Sequence, residues 1–341
     1  MGRTKRGILF LLLPALLAGS GIAGDIGPAT AHYSGTPEGN STSGLFKGFA
    51  PALRPGDLCS RLPQSATRTG TFVDTAKTKE FMITFDDGPL PGVTPSIVDE
   101  LKQFRVNGEP VRAGFFMVGK NAPWLHIKME YWRQKGSIED YEAITRYVAD
   151  AGHLIGNHTQ HHAWFYAWEY YQSWDQFAFD PIREYLRRYE SKVDFVKDEI
   201  VQCNAAIQKA TGVTPLKIFR PPYLDNAREI HEAAEQLGFT IIFGQLTGDS
   251  NPYARLGDIQ KRLLGILNRW KKEEPVVLVF HPEPMRGPDK RTMTYYYLSE
   301  IINFLLKNGF ALAHFDPDRL SQQRTRPAPP PATVSSVHST R

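Results

Sequence analysis

Residues 80–89 read EFMITFDDGP. A short apolar run, Phe81–Phe85, predicts a strand, and it ends on two adjacent carboxylates, Asp86 and Asp87, before a Gly-Pro break. Two neighbouring acids repel when both are ionised, and inside a site one of them must be neutralised or paired. Asp-Gly-Pro is also ordinary turn chemistry, so the stretch taken alone reads equally as a reversal. The rest of the chain decides between the two.

Moving outward, short apolar runs alternate with longer amphipathic ones. Strands are predicted at Phe81–Phe85, Gly114–Val118, His153–Ile155, Leu216–Phe219, Thr240–Phe243, Val276–Phe280 and Phe310–His314. Helices are predicted over 139–150, 194–210, 226–237, 256–270 and 294–307, with Gly238 placed to terminate the third. Strands separated by helices imply an α/β fold with a parallel sheet, closed or nearly closed into a barrel. Chemistry in such folds sits where strands end at their C-termini. Asp86, Arg220, Asp249 and His281 all fall at or soon after such ends.

The 341 residues are 41% hydrophobic and 12% aromatic, enough for a sizeable core. Residues 1–24 stand apart from that core. Arg3, Lys5 and Arg6 precede an apolar stretch from Ile8 to Ala18 and then small residues, the pattern of a secretory signal peptide cut near Ala23. An uncleaved anchor is the alternative, although the stretch is short for a bilayer span and Pro14 interrupts it. Removing those three basic residues leaves 37 Lys and Arg against 36 Asp and Glu, so the formal charge falls from +4 to +1. No basic block then argues for nucleic acid. Export to the periplasm or outside the cell is therefore expected, with no stable membrane span after cleavage. Residues 25–74 read as an extended Gly/Ser/Thr/Pro-containing arm, and 321–341 as a disordered Pro/Ser/Thr-rich tail. Cys59 and Cys203 are the only cysteines; an oxidising compartment permits a bridge, and two separate thiols are equally compatible.

A second cluster, GNHTQHH, carries His158, His161 and His162. Two imidazoles four residues apart plus one carboxylate would supply three protein ligands and leave a position for water, the pattern of a catalytic zinc site. His158 with His161 is an alternative pair, and surface histidine runs also occur. Three more stretches share the strand-end placement: FRPPY (Arg220 to Tyr223), TGDS (Asp249) and VVLVFHPE (His281).

In order and spacing these stretches resemble the polysaccharide deacetylase family, also called carbohydrate esterase family 4, over roughly residues 75–320. The family motifs T-F-D-D, H-[S/T]-x-x-H, R-x-P-[Y/F/G] and L-x-H correspond to Thr84–Asp87, His158–His162, Arg220–Tyr223 and Leu278–His281, the last with one shifted residue. The resemblance implies a distorted (β/α) barrel of seven or eight units, complete or incomplete. It implies that Asp87, His158 and His162 hold a divalent metal, most often Zn2+, with Co2+, Ni2+ or Mn2+ as substitutes. It further implies Asp86 as general base, Arg220 as its partner, the Tyr223 backbone N–H as an oxyanion donor, and His281 as general acid supported by Asp249. Pro221, Pro222, Tyr223 and Trp164 would face the substrate, an acetylated glycan. The implied reaction is N-deacetylation of an amino-sugar polymer or oligomer. The alternatives are an O-acetyl glycan esterase, or a catalytically weak glycan-binding protein on the same scaffold.

Metal binding at Asp87 would relieve its repulsion with Asp86, and a metal would acidify water enough for a weak carboxylate base. An amine leaves poorly unless protonated, which calls for an acid such as a carboxylate-paired histidine. Each residue also has a plainer reading: Arg220 as a turn residue, Asp249 as a helix cap, His281 as a strand end. Two departures from the family stand out. Leu246 and Ser250 occupy the first-acid and Trp positions of D-x-x-D-W, so the lost packing must come from another residue, Tyr253 being the nearest aromatic. Residues 163–193 form an aromatic insertion, read first as a satellite core and second as a wall on which sugar rings stack.

Overall fold

The computed structural model describes residues 79–122, 136–165, 168, 181–251, 253–271, 274–281 and 293–320. The expected signal peptide, N-terminal arm, C-terminal tail, Cys59 and most of the aromatic insertion lie outside the described residues. Among the described residues no helix is long and apolar enough to cross a membrane.

Strand β1 (Glu80–Asp86) is the centre of the fold. After it come α1 (Thr94–Leu101), the hairpin β2 (Arg105–Val106) and β3 (Glu109–Pro110), and β4 (Gly114–Met117). The middle of the chain contributes α2 (Glu142–Asp150), β5 (Leu154–Asn157), α3 (Pro181–Leu186), α4 (Lys192–Thr211) and β6 (Ile218–Phe219). The last third supplies α5 (Arg228–Leu237), β7 (Thr240–Ile241), β8 (Gln245–Leu246), α6 (Leu256–Arg269), β9 (Val276–Phe280), α7 (Met293–Lys307) and β10 (Ala311–Leu312).

Eight strands form one sheet in the order β7-β6-β5-β4-β1-β9-β8, and β10 also pairs with β1. All of these pairings are parallel. One edge of β1 is taken by β9 and the other is shared, with β10 beside Glu80 and Phe81 and β4 beside Thr84 to Asp86. The two outer strands, β7 and β8, are consecutive in the chain and separated only by Ile242, Phe243 and Gly244. The barrel is incomplete: no ladder joins β7 to β8 among the described residues, and the chain itself bridges the seam.

Alternation along β1 divides its side chains between two cores. Phe81, Ile83 and Phe85 face outward and pack with Ile97 and Leu101 of α1, Leu263 and Leu267 of α6, and Leu298 and Ile302 of α7. Met82 faces inward with Phe116, Ile218, Ile242, Val277 and Phe315. Each fully buried side chain of this size contributes about 1.5–3 kcal/mol. Thr84 and Asp86 share the inward face with Met82, so the pleat that builds the core also aims the acid into the barrel mouth.

Several elements differ from the sequence expectation. Strand β5 starts one residue late because the His153 ring turns back, its Nδ1 accepting the Ala113 N–H at 3.1 Å. Leu216 is 44% exposed and remains in the loop before β6. Helix α1 is not anticipated, although Pro95 in its first turn is a start signal. The β2–β3 hairpin is marked by Asn107-Gly108, with φ of 53° and 87°, a pair that turns hairpins readily.

Candidate metal centre and catalytic site

Parallel register brings the strand ends to one level. Phe85 pairs with Phe280, Met117 with Asn157, and Asn157 with Phe219. The residues just beyond those pairs are Asp86, His281, His158 and Arg220. Asp87 follows β1 and Thr247 follows β8, two residues before Asp249. Residues scattered over nearly 200 positions are thereby gathered by a shared sheet level.

Arg220 is fully buried in the barrel. Its Nη1 donates to Asp86 Oδ1 at 2.5 Å and to Thr84 Oγ1 at 2.8 Å, its Nε donates to the Ile242 carbonyl at 2.9 Å, and its guanidinium lies 4.0 Å above the Phe116 ring. Burial lowers the guanidinium pKa, which Asp86 opposes, and an arginine has ample margin to remain charged. Asp86 therefore has a fixed cationic partner on one oxygen, and its other oxygen lies 4.0 Å from His158 Nε2.

Asp87, His158 and His162 are buried, and one ligand atom from each lies within 4.8 Å of the others. Asp87 Oδ1 is 3.0 Å from His162 Nε2 and 3.6 Å from His158 Nε2. The His158 Nδ1 is 2.8 Å from the Arg220 carbonyl, which can only accept, so Nδ1 carries the proton and Nε2 presents its lone pair. Burial pulls the His158 pKa down against the opposing fields of Asp86 and Asp87, keeping the ring in the neutral form that ligates. One carboxylate and two imidazoles make a donor set suited to Zn2+ and related divalent ions, with a position left open. The residues fit such an ion.

Backbone strain concentrates here. Among the described residues, six non-glycine residues have positive φ, and five of them, Asp87, Thr159, His162, Tyr223 and Leu224, lie on the loops around this mouth. Each such conformation costs of order 1–3 kcal/mol and persists where the surroundings impose it, commonly at functional sites.

His161, the alternative ligand, turns the other way. Its Nδ1 is 2.8 Å from Glu199 Oε1, its backbone N–H donates to Glu199 Oε2 at 2.8 Å, and Tyr185 closes over the pair. The ring pair near Asp87 is His158 with His162, 4.9 Å between centroids.

Across the mouth, Asp249 is saturated with donors. Thr247 Oγ1 donates to Oδ1 at 2.8 Å, the His281 backbone N–H donates to Oδ2 at 2.6 Å, and Thr294 Oγ1 on α7 also donates to Oδ2. His281 Nδ1 lies 3.3 Å from Asp249 Oδ1, and the side chain is 19% exposed. Burial disfavours the charged imidazole, but the bond to Asp249 and the fields of Asp249, Asp87 and Asp86 outweigh it and push the pKa up to about 9.

Tyr223 is 54% exposed and its ring stands edge-on to His162 at 5.0 Å, while Pro221 and Pro222 are buried beside it. Trp164 is half-buried against a second core of Phe165, Tyr185, Phe195 and neighbours. Within that core Trp168 stacks on Phe195 at 5.9 Å and Tyr189 tilts against it at 5.2 Å, so the described residues of the insertion pack onto one core shared with β6, α4 and α5. The expectation that Tyr253 replaces the missing Trp is wrong: Tyr253 is 81% exposed, because its loop reverses around Asn251, whose side chain accepts the Tyr253 N–H. Support for Asp249 comes instead from two threonine hydroxyls. Thr84 could have been found by alternation with Asp86, whereas Thr294 lies 45 residues from Asp249 and carries no local signal.

Residues 74–242 match the model of the family described as polysaccharide deacetylase. The chain is 28% identical over 163 residues to a peptidoglycan-N-acetylglucosamine deacetylase of Bacillus cereus, covering 48% of this chain and 43% of that protein. It is 24% identical over 172 residues to a peptidoglycan-N-acetylmuramic acid deacetylase of Bacillus subtilis, covering 50% and 49%. The chain thus matches less than half the length of either relative. Among solved structures, a family 4 carbohydrate esterase from Streptomyces lividans superposes with a TM-score of 0.46 at 22% identity, covering 70% of this chain and 94% of that one.

Proposed function

The chain belongs to the polysaccharide deacetylase family through residues 74–242, and from that premise we propose that it is a zinc-dependent hydrolase removing N-acetyl groups from an amino-sugar poly- or oligosaccharide. In this reading residues 1–24 direct export and are removed, and the domain over 75–320 acts on its glycan in the periplasm or outside the cell.

The observation that carries the reading is the convergence of Asp87, His158 and His162 within 4.8 Å beside a second carboxylate that is held by an arginine. Asp87, His158 and His162 would hold a divalent ion, which when bound would acidify a coordinated water towards neutral pH and polarise the acetyl carbonyl. Asp86, oriented by its bond from Arg220, takes the proton of the attacking water on the oxygen that Arg220 does not occupy. The new C–O bond leaves negative charge on the carbonyl oxygen, towards which the Tyr223 backbone N–H donates; one such donor is worth about 3 kcal/mol. His281, its Nδ1 turned to Asp249, gives the proton of Nε2 to the sugar nitrogen as the C–N bond breaks. Pro221, Pro222, the exposed Tyr223 ring and Trp164 are assigned to the walls that receive the sugar.

Incubating the protein with N-acetylated chitooligosaccharides, with and without chelator, tests this. Acetate release that chelator abolishes and Zn2+ restores is the expected result. Release from acetylated xylan alone would make it an O-acetyl esterase, and glycan binding without acetate at any metal level would make it a binding scaffold.

A further inference from the structure

Glu199 lies in the middle of α4 with no solvent exposure, and the mechanism above does not use it. A carboxylate buried this deeply is costly unless its oxygens are satisfied. Glu199 meets that condition almost entirely through one segment of chain. Oε2 accepts the His161 backbone N–H at 2.8 Å, Oε1 lies 2.8 Å from His161 Nδ1, and the Glu199 carbonyl accepts the Gln160 N–H at 2.9 Å. Tyr185 of α3 completes the set, its hydroxyl donating to Oε1 at 3.0 Å. One residue further along α4, the Ile200 carbonyl accepts Asn157 Nδ2 at 2.7 Å, and Asn157 Oδ1 accepts the Thr159 N–H at 2.9 Å.

The bonds to Thr159, Gln160 and His161 hold the stretch that joins His158 to His162, and Tyr185 completes the carboxylate behind it. That stretch contains two non-glycine residues in left-handed backbone, Thr159 at φ 71° and His162 at φ 52°, a conformation the chain does not keep unaided. We propose that Glu199 is a positioning residue, which clamps residues 159–161 to α4 so that the imidazoles of His158 and His162 converge on Asp87. The inference rests on the metal reading given above. Partners that bond a ligating side chain directly change metal affinity 10–100-fold when removed, and Glu199 acts on the same ligands through the loop that joins them.

The test is zinc affinity of the full chain, measured by competition with a chromophoric chelator, alongside circular dichroism and melting of the metal-free proteins. Glu199→Gln keeps the shape but offers the His161 N–H groups one acceptor oxygen instead of two. It is expected to weaken zinc about 10–100-fold, and Tyr185→Phe a few-fold, with wild-type secondary structure in both. A merely structural role would lower the melting temperature of the metal-free protein and leave zinc affinity of the folded form unchanged. His162→Ala is the reference. If it loses zinc while Glu199→Gln binds within about two-fold of wild type, the clamp is refuted and the metal site stands. If His162→Ala binds zinc normally, the metal reading itself fails, and the clamp with it. Should Glu199→Gln not fold, Tyr185→Phe and His161→Gln decide, and unchanged zinc affinity in both overturns the proposal.

Discussion

At the scale of single residues, Asp86 and Asp87 are adjacent in sequence and opposite in circumstance. Asp86 bonds Arg220 at 2.5 Å, whereas Asp87 points its Oδ1 at His162, 3.0 Å away. In the proposed chemistry Asp86→Asn should lower kcat about 10²–10⁴-fold while zinc affinity is retained, and Asp87→Asn should lose both. Steady-state kinetics read beside a zinc titration separate the two. The His281–Asp249 pair carries a pH prediction. The imidazole pKa, raised to about 9, makes its acid form available through neutral pH and lost above about 9. In Asp249→Asn the counter-charge goes and the burial remains, so the pKa falls. The basic limb of kcat/KM against pH should move down by roughly 1–3 units, and an unmoved limb would remove Asp249 from the mechanism. The same sign holds for stability: the pair's contribution is complete below about pH 6.5 and lost as pH rises through about 9.

At the scale of elements, the site depends on how closely β4 and β5 approach the barrel axis. Gly156 of β5 sits against the Phe116 ring, and a Cβ there would lie 2.5 Å from it. That ring supports the Arg220 guanidinium at 4.0 Å, so a methyl group on β5 disturbs the partner of Asp86 by way of one aromatic. Gly156→Ala should therefore cost about 1–3 kcal/mol of stability in urea unfolding and also reduce activity in the folded fraction. A loss of stability with undiminished kcat would show that Phe116 shifts without moving Arg220. Helix α4 plays the matching part on the other side of the mouth. Ser191 caps it, accepting the Asp194 N–H at 3.1 Å, and Gly212 ends it in left-handed backbone at φ 75°, so its 20 residues form a rigid beam behind the histidine loop.

At the scale of the whole barrel, the sheet is most heavily braced at β1, which has three neighbouring strands, and less so at β7, β8 and β10, which have one each among the described residues. Hydrogen exchange should follow that gradient. The amides of Ile83 and Phe85 should exchange only with global unfolding, and those of Thr240 and Leu246 through local opening at the seam. Equal protection of both sets would mean that the seam behaves as a closed wall.

Much of this was legible before any coordinates. Periodicity placed seven of the strands within a few residues, because apolar runs bounded by Gly, Pro and polar residues report local backbone preference. Asp86, Arg220 and His281 stood out because each pairs an uncommon side chain with a strand end, which is a local pattern, and Asp87, His158 and His162 were singled out as a ligand set by the family resemblance. What the sequence left undecided was long-range. The choice of His162 over His161 and the hydroxyl of Thr294 on Asp249 were settled only by tertiary packing. So was the burial of Glu199 behind the histidine loop. Hydrogen bonds between residues tens or hundreds of positions apart leave no periodic trace in a single chain, and only the parallel register of the sheet brings those residues within reach.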